Sequence, residues 1–173
     1  MITNKIVRIG LAGVFLAVLS LGLISSTNAK ASEPAQKKSV SITLIGDSYT
    51  SGNGAGSYGD SGKAFRSRYN WGNRYASWLN LQNVKTTVTN LATSGATSDQ
   101  VRGSQLPLIS SNTDLVMFTV GGNDADFESI VKQCFATGFR DTTTCRERVQ
   151  YAASQLDSII ASTEQLISDL SSQ

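Results

Sequence analysis

Three short clusters of small and polar residues have the make-up to do chemistry: Gly46-Asp47-Ser48, Ser94-Gly95-Ala96 and Gly121-Gly122-Asn123-Asp124. Ser48 brings a hydroxyl that can attack a carbonyl carbon. Gly95 lacks a side chain, so its backbone N–H can approach a substrate oxygen closely. Asn123 offers a side-chain NH2 donor. A hydroxyl nucleophile with converging N–H donors is the equipment of acyl transfer. The donors stabilise the oxyanion of the tetrahedral intermediate, and loss of one such donor typically costs about 2.7–4 kcal/mol. Each cluster alone also fits a plain turn, and Gly-Gly-Asn-Asp can simply end a strand and start a helix.

The segments before the clusters give them a common address. Val40, Ile42 and Leu44 alternate, with Ile45 adding apolar character on the other face, and predict a strand ending at Gly46. Val84, Thr86 and Val88 alternate in a second strand over 84–91. Residues 115–120 (Leu-Val-Met-Phe-Thr-Val) form a nearly continuous apolar run, as in a parallel strand covered on both faces. Between these lie helical patterns. Asn70 is the expected N-cap of a helix carrying Trp71, Tyr75, Trp78 and Leu79 on one face, read as core packing. A short helix is expected around Asp99–Gly103. Another begins with Asp124, Asp126 and Glu128 near its dipole-positive end and carries Phe127, Ile130, Val131, Cys134 and Phe135 on one face. The last helix opens on a capping box, Thr144 to Glu147, and runs to the chain end. Residues 50–70 read as a long Gly/Ser/Asn-rich loop, in which Tyr49, Tyr58, Phe65 and Tyr69 either line a site or pack the loop down. Strands alternating with helices imply an α/β fold with a parallel sheet, and ligands bind such sheets at the carboxyl ends of the strands, where the three clusters fall.

In combination the clusters resemble the first three sequence blocks of the SGNH/GDSL hydrolases. Ile45-Gly46-Asp47-Ser48-Tyr49 with Ser51-Gly52-Asn53-Gly54-Ala55-Gly56 resembles the first block, Asn90 to Ala96 the second and Gly121 to Asp124 the third. The likeness is greatest to secreted bacterial lipases and esterases. It implies a three-layer αβα fold with a flavodoxin-like sheet. It also implies Ser48 as nucleophile, with the Gly95 N–H and the Asn123 side chain forming the oxyanion hole beside the Ser48 N–H. The implied substrate is a small-molecule or lipid ester, with no metal or organic cofactor and a monomeric complete protein. This sequence departs from the family in three ways. It contains no histidine, so the fourth block, Asp-x-x-His, is absent and no residue can take the Ser48 proton as the family's histidine does. Only three strands are legible, and the sheet reads as incomplete at the C-terminal side. Ala64 and Thr93 stand where secreted relatives often carry a cysteine pair.

Residues 1–31 read as a secretory signal peptide: Lys5 and Arg8, an uncharged apolar run over 9–24, then Ala29-Lys30-Ala31 as a cleavage pattern. Sixteen residues are short for a membrane span, so no stable span is expected after cleavage and the location is extracellular. Residues 32–39 read as a polar leader and 40–173 as the N-terminal portion of the hydrolase domain. Lys5, Arg8 and Lys30 leave with the signal, and the remaining 12 Lys and Arg face 13 Asp and Glu. No basic surface for nucleic acid is then expected. Cys134 and Cys145, close in sequence and without other thiol or imidazole partners, are expected to form a disulfide in an oxidising compartment. It would stabilise the fold by about 2–3 kcal/mol in the chain-entropy model.

Two other readings compete. Gly54-Ala55-Gly56-Ser57-Tyr58-Gly59 matches G-x-G-x-x-G, but it sits in a loop, not between strand and helix, and no acidic residue follows between Ser61 and Thr97, which argues against a dinucleotide site. The second is a shortened, non-catalytic binding protein that keeps the cleft without the chemistry. A reading frame encoding Asp-x-x-His beyond codon 173 would mark the chain as part of an esterase of which it alone has little activity. An intact stop codon would favour the binding protein.

Overall fold

The computed structural model describes residues 39–59 and 62–172. The expected signal peptide and all of the expected leader but Ser39 lie outside them. β1 (Ser39–Gly46), β2 (Lys85–Asn90) and β3 (Leu115–Thr119) form a parallel sheet in the order β2-β1-β3. This is the order of the first three strands of a flavodoxin-like sheet. β1 and β2 pair from Ser39 with Lys85 to Leu44 with Asn90, and β1 and β3 from Ile42 with Leu115 to Gly46 with Thr119.

The alternation of each strand builds the layers. Ile42 and Leu44 are fully buried on one face with Ala76, and Leu115 and Met117 pack there. Ile45 is buried on the other face with Ala96, Val101, Leu106 and Leu166, joined by Val116 and Phe118. The apolar run of β3 is thus shared between two cores, which is why it lacks a polar face. Helix α2 (Trp71–Leu81) covers the first core and the segments over 98–108 and 156–171 the second, giving helix, sheet, helix.

Several elements differ from the sequence reading. Asn70 caps α2 as expected, accepting the Asn73 N–H at 2.8 Å. The face that α2 buries is Gly72, Ala76 and part of Leu79, while Tyr75 and Trp78 stack on each other in solvent. A Cβ at Gly72 would collide with the Leu44 side chain, so small residues, not the aromatics, let the helix lie on β1. The expected loop at 50–70 begins as one helical turn, α1 (Ser48–Ser51). The expected short helix is the start of a longer irregular one, α3 (Ser98–Gln100), which widens into a π turn over Val101–Gln105 and tightens into a 3-10 turn over Leu106–Leu108.

Helix α4 (Phe127–Phe135) starts three residues later than Asp124, behind Asp126 in the left-handed region (φ 52°). Helix α5 (Thr142–Ser154) is capped by Asp141, which takes the Thr144 N–H at 2.6 Å, so the expected capping box at Thr144 is displaced by an acid three residues earlier. The expected single last helix breaks at Gln155, and α6 (Leu156–Ser171) follows. The Cys134–Cys145 disulfide joins the end of α4 to the start of α5, and Arg148 of α5 pairs with Asp126 at 3.1 Å, so the two helices run antiparallel. No helix among the described residues is long and apolar enough to cross a membrane.

Candidate active site at the strand ends

Gly46 ends β1 with φ +120°, and a Cβ there would collide with the Thr119 carbonyl oxygen. Only glycine permits both the left-handed turn and this approach to β3. The chain then turns through Asp47, whose N–H donates to Thr119 O at 3.1 Å. The buried Asp47 carboxylate accepts the Tyr49 N–H at 3.0 Å and the Thr119 hydroxyl at 2.6 Å. Asp47 is therefore the N-cap of α1, and Ser48 is the first residue of that turn. Ser48 is partly exposed. Neither its hydroxyl nor its N–H has a hydrogen-bond partner among the described residues. The Thr50 and Thr119 hydroxyls, 2.7 Å apart, pin the same turn to β3 from below.

Four bonds tie the second cluster and the residues before it to this turn and the loop that follows it. Thr93 N–H donates to Gly46 O at 3.0 Å. Asn53 Nδ2 donates to Ser94 Oγ at 3.0 Å. Arg66, from the loop after α1, donates to Ala92 O at 2.8 Å and Leu91 O at 3.1 Å. Gly95 follows in the left-handed region (φ +84°), exposed, with its N–H unengaged among the described residues.

The third cluster folds against the second. Asn123 Nδ2 donates to Ala96 O at 2.9 Å, which leaves the second N–H of that amide available. Asp124 does not cap α4. Its carboxylate accepts the Ser98 N–H at 3.0 Å and the Ser98 hydroxyl at 3.2 Å. Gly122 faces Asp47, since a Cβ on it would stand 3.9 Å from Asp47 Oδ2. Ser48, Gly95 and Asn123 thus sit on three turns that bond to one another or to a common strand end. The N–H groups of Ser48 and Gly95 and one amide hydrogen of Asn123 have no hydrogen-bond partner among the described residues.

The sequence reading did not single out Thr119, Gln105, Arg66 or Ser98. Gln105 is buried and holds both backbone groups of Gly46, accepting its N–H at 2.7 Å and donating to its carbonyl at 3.0 Å. The one available signal was a glutamine four residues after Val101, on the buried side of a short helical pattern. The aromatics Tyr49, Tyr58, Phe65 and Tyr69 are all substantially exposed. Tyr58 meets Phe65 edge-on, and Arg74 lies over Tyr69. Among the described residues no group of three or more metal-ligating side chains occurs. A cleft of about 590 Å3 lies at the opposite, amino end of the strands, lined by Ser39, Ser41, Lys85, Thr87 and Asp114, and takes no part in this arrangement.

Known proteins share the sequence and the fold. Lipase 1 of Streptomyces coelicolor is 31% identical over 157 residues, covering 88% of this chain and 54% of that protein. A lipase of Streptomyces rimosus is 33% identical over 146 residues, covering 84% and 51%. The crystal structure of the extracellular lipase from Streptomyces rimosus matches with a TM-score of 0.65 at 33% identity, over 78% of this chain and 55% of that one. Phospholipase A1 from Streptomyces albidoflavus NA297 matches with a TM-score of 0.66 at 29% identity, with the same coverage. The chain spans about half the length of the curated relatives it matches. The model of the GDSL-like lipase/acylhydrolase family matches residues 44–170, from inside β1 to the end of α6, and the chain belongs to that family.

Proposed function

We propose that this chain carries the nucleophile and the oxyanion-binding donors of a secreted carboxylic ester hydrolase. Ser48 Oγ attacks the acyl carbonyl carbon, and the carbonyl oxygen becomes the oxyanion. The N–H groups of Ser48 and Gly95 and the free amide hydrogen of Asn123 stabilise it. Collapse expels the alcohol and leaves an acyl-Ser48 ester, which water then hydrolyses. The observation that carries this reading is the partly exposed Ser48 turn, clamped by Thr119 and Gly46 while its own hydroxyl stays unbonded.

The proton of Ser48 needs a base. The 173 residues contain no histidine, and the carboxylates of Asp47, next to Ser48, and of Asp124, next to Asn123, are occupied by hydrogen bonds that hold the loops. The base is therefore assigned to a residue outside these 173, and the chain alone should show little turnover. The relatives, two named lipases and one a phospholipase A1, support an acyl ester as substrate. Export is supported by the signal-like first 31 residues, by the Cys134–Cys145 disulfide and by the extracellular relative.

The test is to express the complete reading frame and measure hydrolysis of short-chain p-nitrophenyl esters by wild type and Ser48→Ala. Turnover that disappears in the Ala variant supports the assignment, and full activity in that variant removes it.

A further inference from the structure

We infer that Gln105 is a positioning residue for the Ser48 nucleophile, an inference that rests on the assignment of Ser48 above. The β1–β2 ladder ends at Leu44 with Asn90, two residues short of Gly46. Past that point β2 no longer supplies paired strand residues, although β1 must still be held where it turns into the site. The Gln105 carboxamide fills the gap. Its oxygen accepts the Gly46 N–H at 2.7 Å, and its nitrogen donates to the Gly46 carbonyl at 3.0 Å. The Gly46 carbonyl also accepts the Thr93 N–H at 3.0 Å, so the carboxamide supplies the missing partner of the Gly46 N–H and a second one for its carbonyl.

The helix geometry is shaped to deliver it. Val101, Gln105 and Leu106 are all buried, a spacing of four and then one that a regular helix serves poorly. The π turn over Val101–Gln105 adds a residue to the turn, so that Gln105 and Leu106 can both face the sheet. π turns inside helices are often found at functional sites. Leu106 enters the apolar core, and Gln105, 3% exposed, has both ends of its amide satisfied by a single residue.

Gly46 is where a small movement matters. It is pressed against Thr119 on one side, and its peptide leads directly to Asp47 and Ser48. Removing the amide leaves the Gly46 N–H without its partner and the carbonyl held by Thr93 alone, so the peptide can tilt in a region of φ that glycine tolerates widely. Ser48 would then move relative to Gly95 and Asn123, whose loops keep the Thr93 bond to Gly46 but are held as well by Asn53 at Ser94, by Asn123 at Ala96 and by Asp124 at Ser98. Misplacement of a reacting group by about 1 Å can cost on the order of 100-fold in rate.

The experiment uses the protein from its complete reading frame, with a short-chain p-nitrophenyl ester as the probe. Gln105→Leu removes both bonds, and Gln105→Glu keeps the acceptor and removes the donor. kcat and KM are measured well below each variant's unfolding midpoint, with Ser48→Ala alongside. The expected result is a kcat reduced roughly 10- to 100-fold in Gln105→Leu, a smaller loss in Gln105→Glu, and KM within about twofold of wild type in both. If Gln105→Leu does not fold, Gln105→Glu is judged alone on the same kcat and KM criterion. A folded variant with a lowered unfolding midpoint but wild-type kcat would mean that Gln105 only stabilises the fold, and would overturn the inference. Retained activity in Ser48→Ala would instead overturn the assignment on which it rests, so the two failures are told apart.

Discussion

The Thr119 hydroxyl at the end of β3 donates to the Asp47 carboxylate at 2.6 Å, although 72 residues separate the two in sequence. Asp47 is buried and immediately precedes Ser48, so one hydrogen bond joins the carboxyl end of the third strand to the turn that presents the hydroxyl. Thr119→Val keeps the shape of the side chain and removes the donor. Hydrogen bonds to charged groups contribute about 1.5–3 kcal/mol, and a urea unfolding curve should show a loss of that size. An unchanged midpoint would mean that the bond contributes nothing to holding the turn.

Leu166 of α6 is fully buried beside Ile45 and Val101, in the core that Val116 and Phe118 of β3 share. Among the described residues β3 has a strand partner on one side only, and Leu166 brings α6 into the core that one face of β3 enters. Leu166→Ala should cost about 2–5 kcal/mol. That is a large part of the 5–15 kcal/mol typical of a whole domain. Urea unfolding monitored by tryptophan fluorescence is the check, and a cost below about 1 kcal/mol would show that α6 is not a structural lid on this sheet.

Much of the fold was legible because it is written in local patterns. The alternation around Ile42 and Leu44, the apolar run from Leu115 and the Asn70 cap each depend on neighbours within a few residues. The buried face of α2 was not legible. Periodicity gives weight to large apolar residues, while the packing surface is Gly72 and Ala76, whose value is their smallness. The exact starts of α4 and α5 depend on which of several acids caps which helix, and Asp124 was drawn off to Ser98 in another element. At the proposed site, Ser48, Gly95 and Asn123 stand out in the sequence by residue type and by position at strand ends. The groups that hold them do not: Thr119 lies 72 residues from Asp47 and Gln105 lies 59 from Gly46, and no local pattern encodes such pairs.

The Asp141 carboxylate that caps α5 has its pKa held below the ordinary 3.8, first by the Thr144 backbone N–H and then by the Thr144 hydroxyl. A depressed folded-state pKa stabilises the fold above the unfolded value, and this contribution is lost as the pH falls through the lower, folded value. The cap should therefore persist at pH 5 and weaken only once the pH has fallen below 3.8. A carboxyl carbon titration by NMR should give a midpoint for Asp141 below 3.8, and a midpoint at or above it would show that the cap does not form in solution.

The disulfide joins residues 11 apart across the α4–α5 turn. Intact mass of the non-reduced protein, expressed in an oxidising compartment, should show no alkyl group added after thiol alkylation, and two after reduction. Two alkylated cysteines before reduction would contradict the pairing. Cys134→Ser with Cys145→Ser should lower stability by about 2–3 kcal/mol in the chain-entropy model.

The most direct test of the nucleophile assignment is covalent capture. The product of the complete reading frame is treated with a p-nitrophenyl alkylphosphonate, which phosphonylates an activated serine and releases p-nitrophenol. Peptide mass mapping then locates the adduct. The account predicts a single phosphonyl group on Ser48, absent from Ser48→Ala and formed more slowly in Asn123→Ala, where one stabilising donor is lost. An adduct on any other serine, or equal labelling of the Ser48→Ala protein, would contradict it.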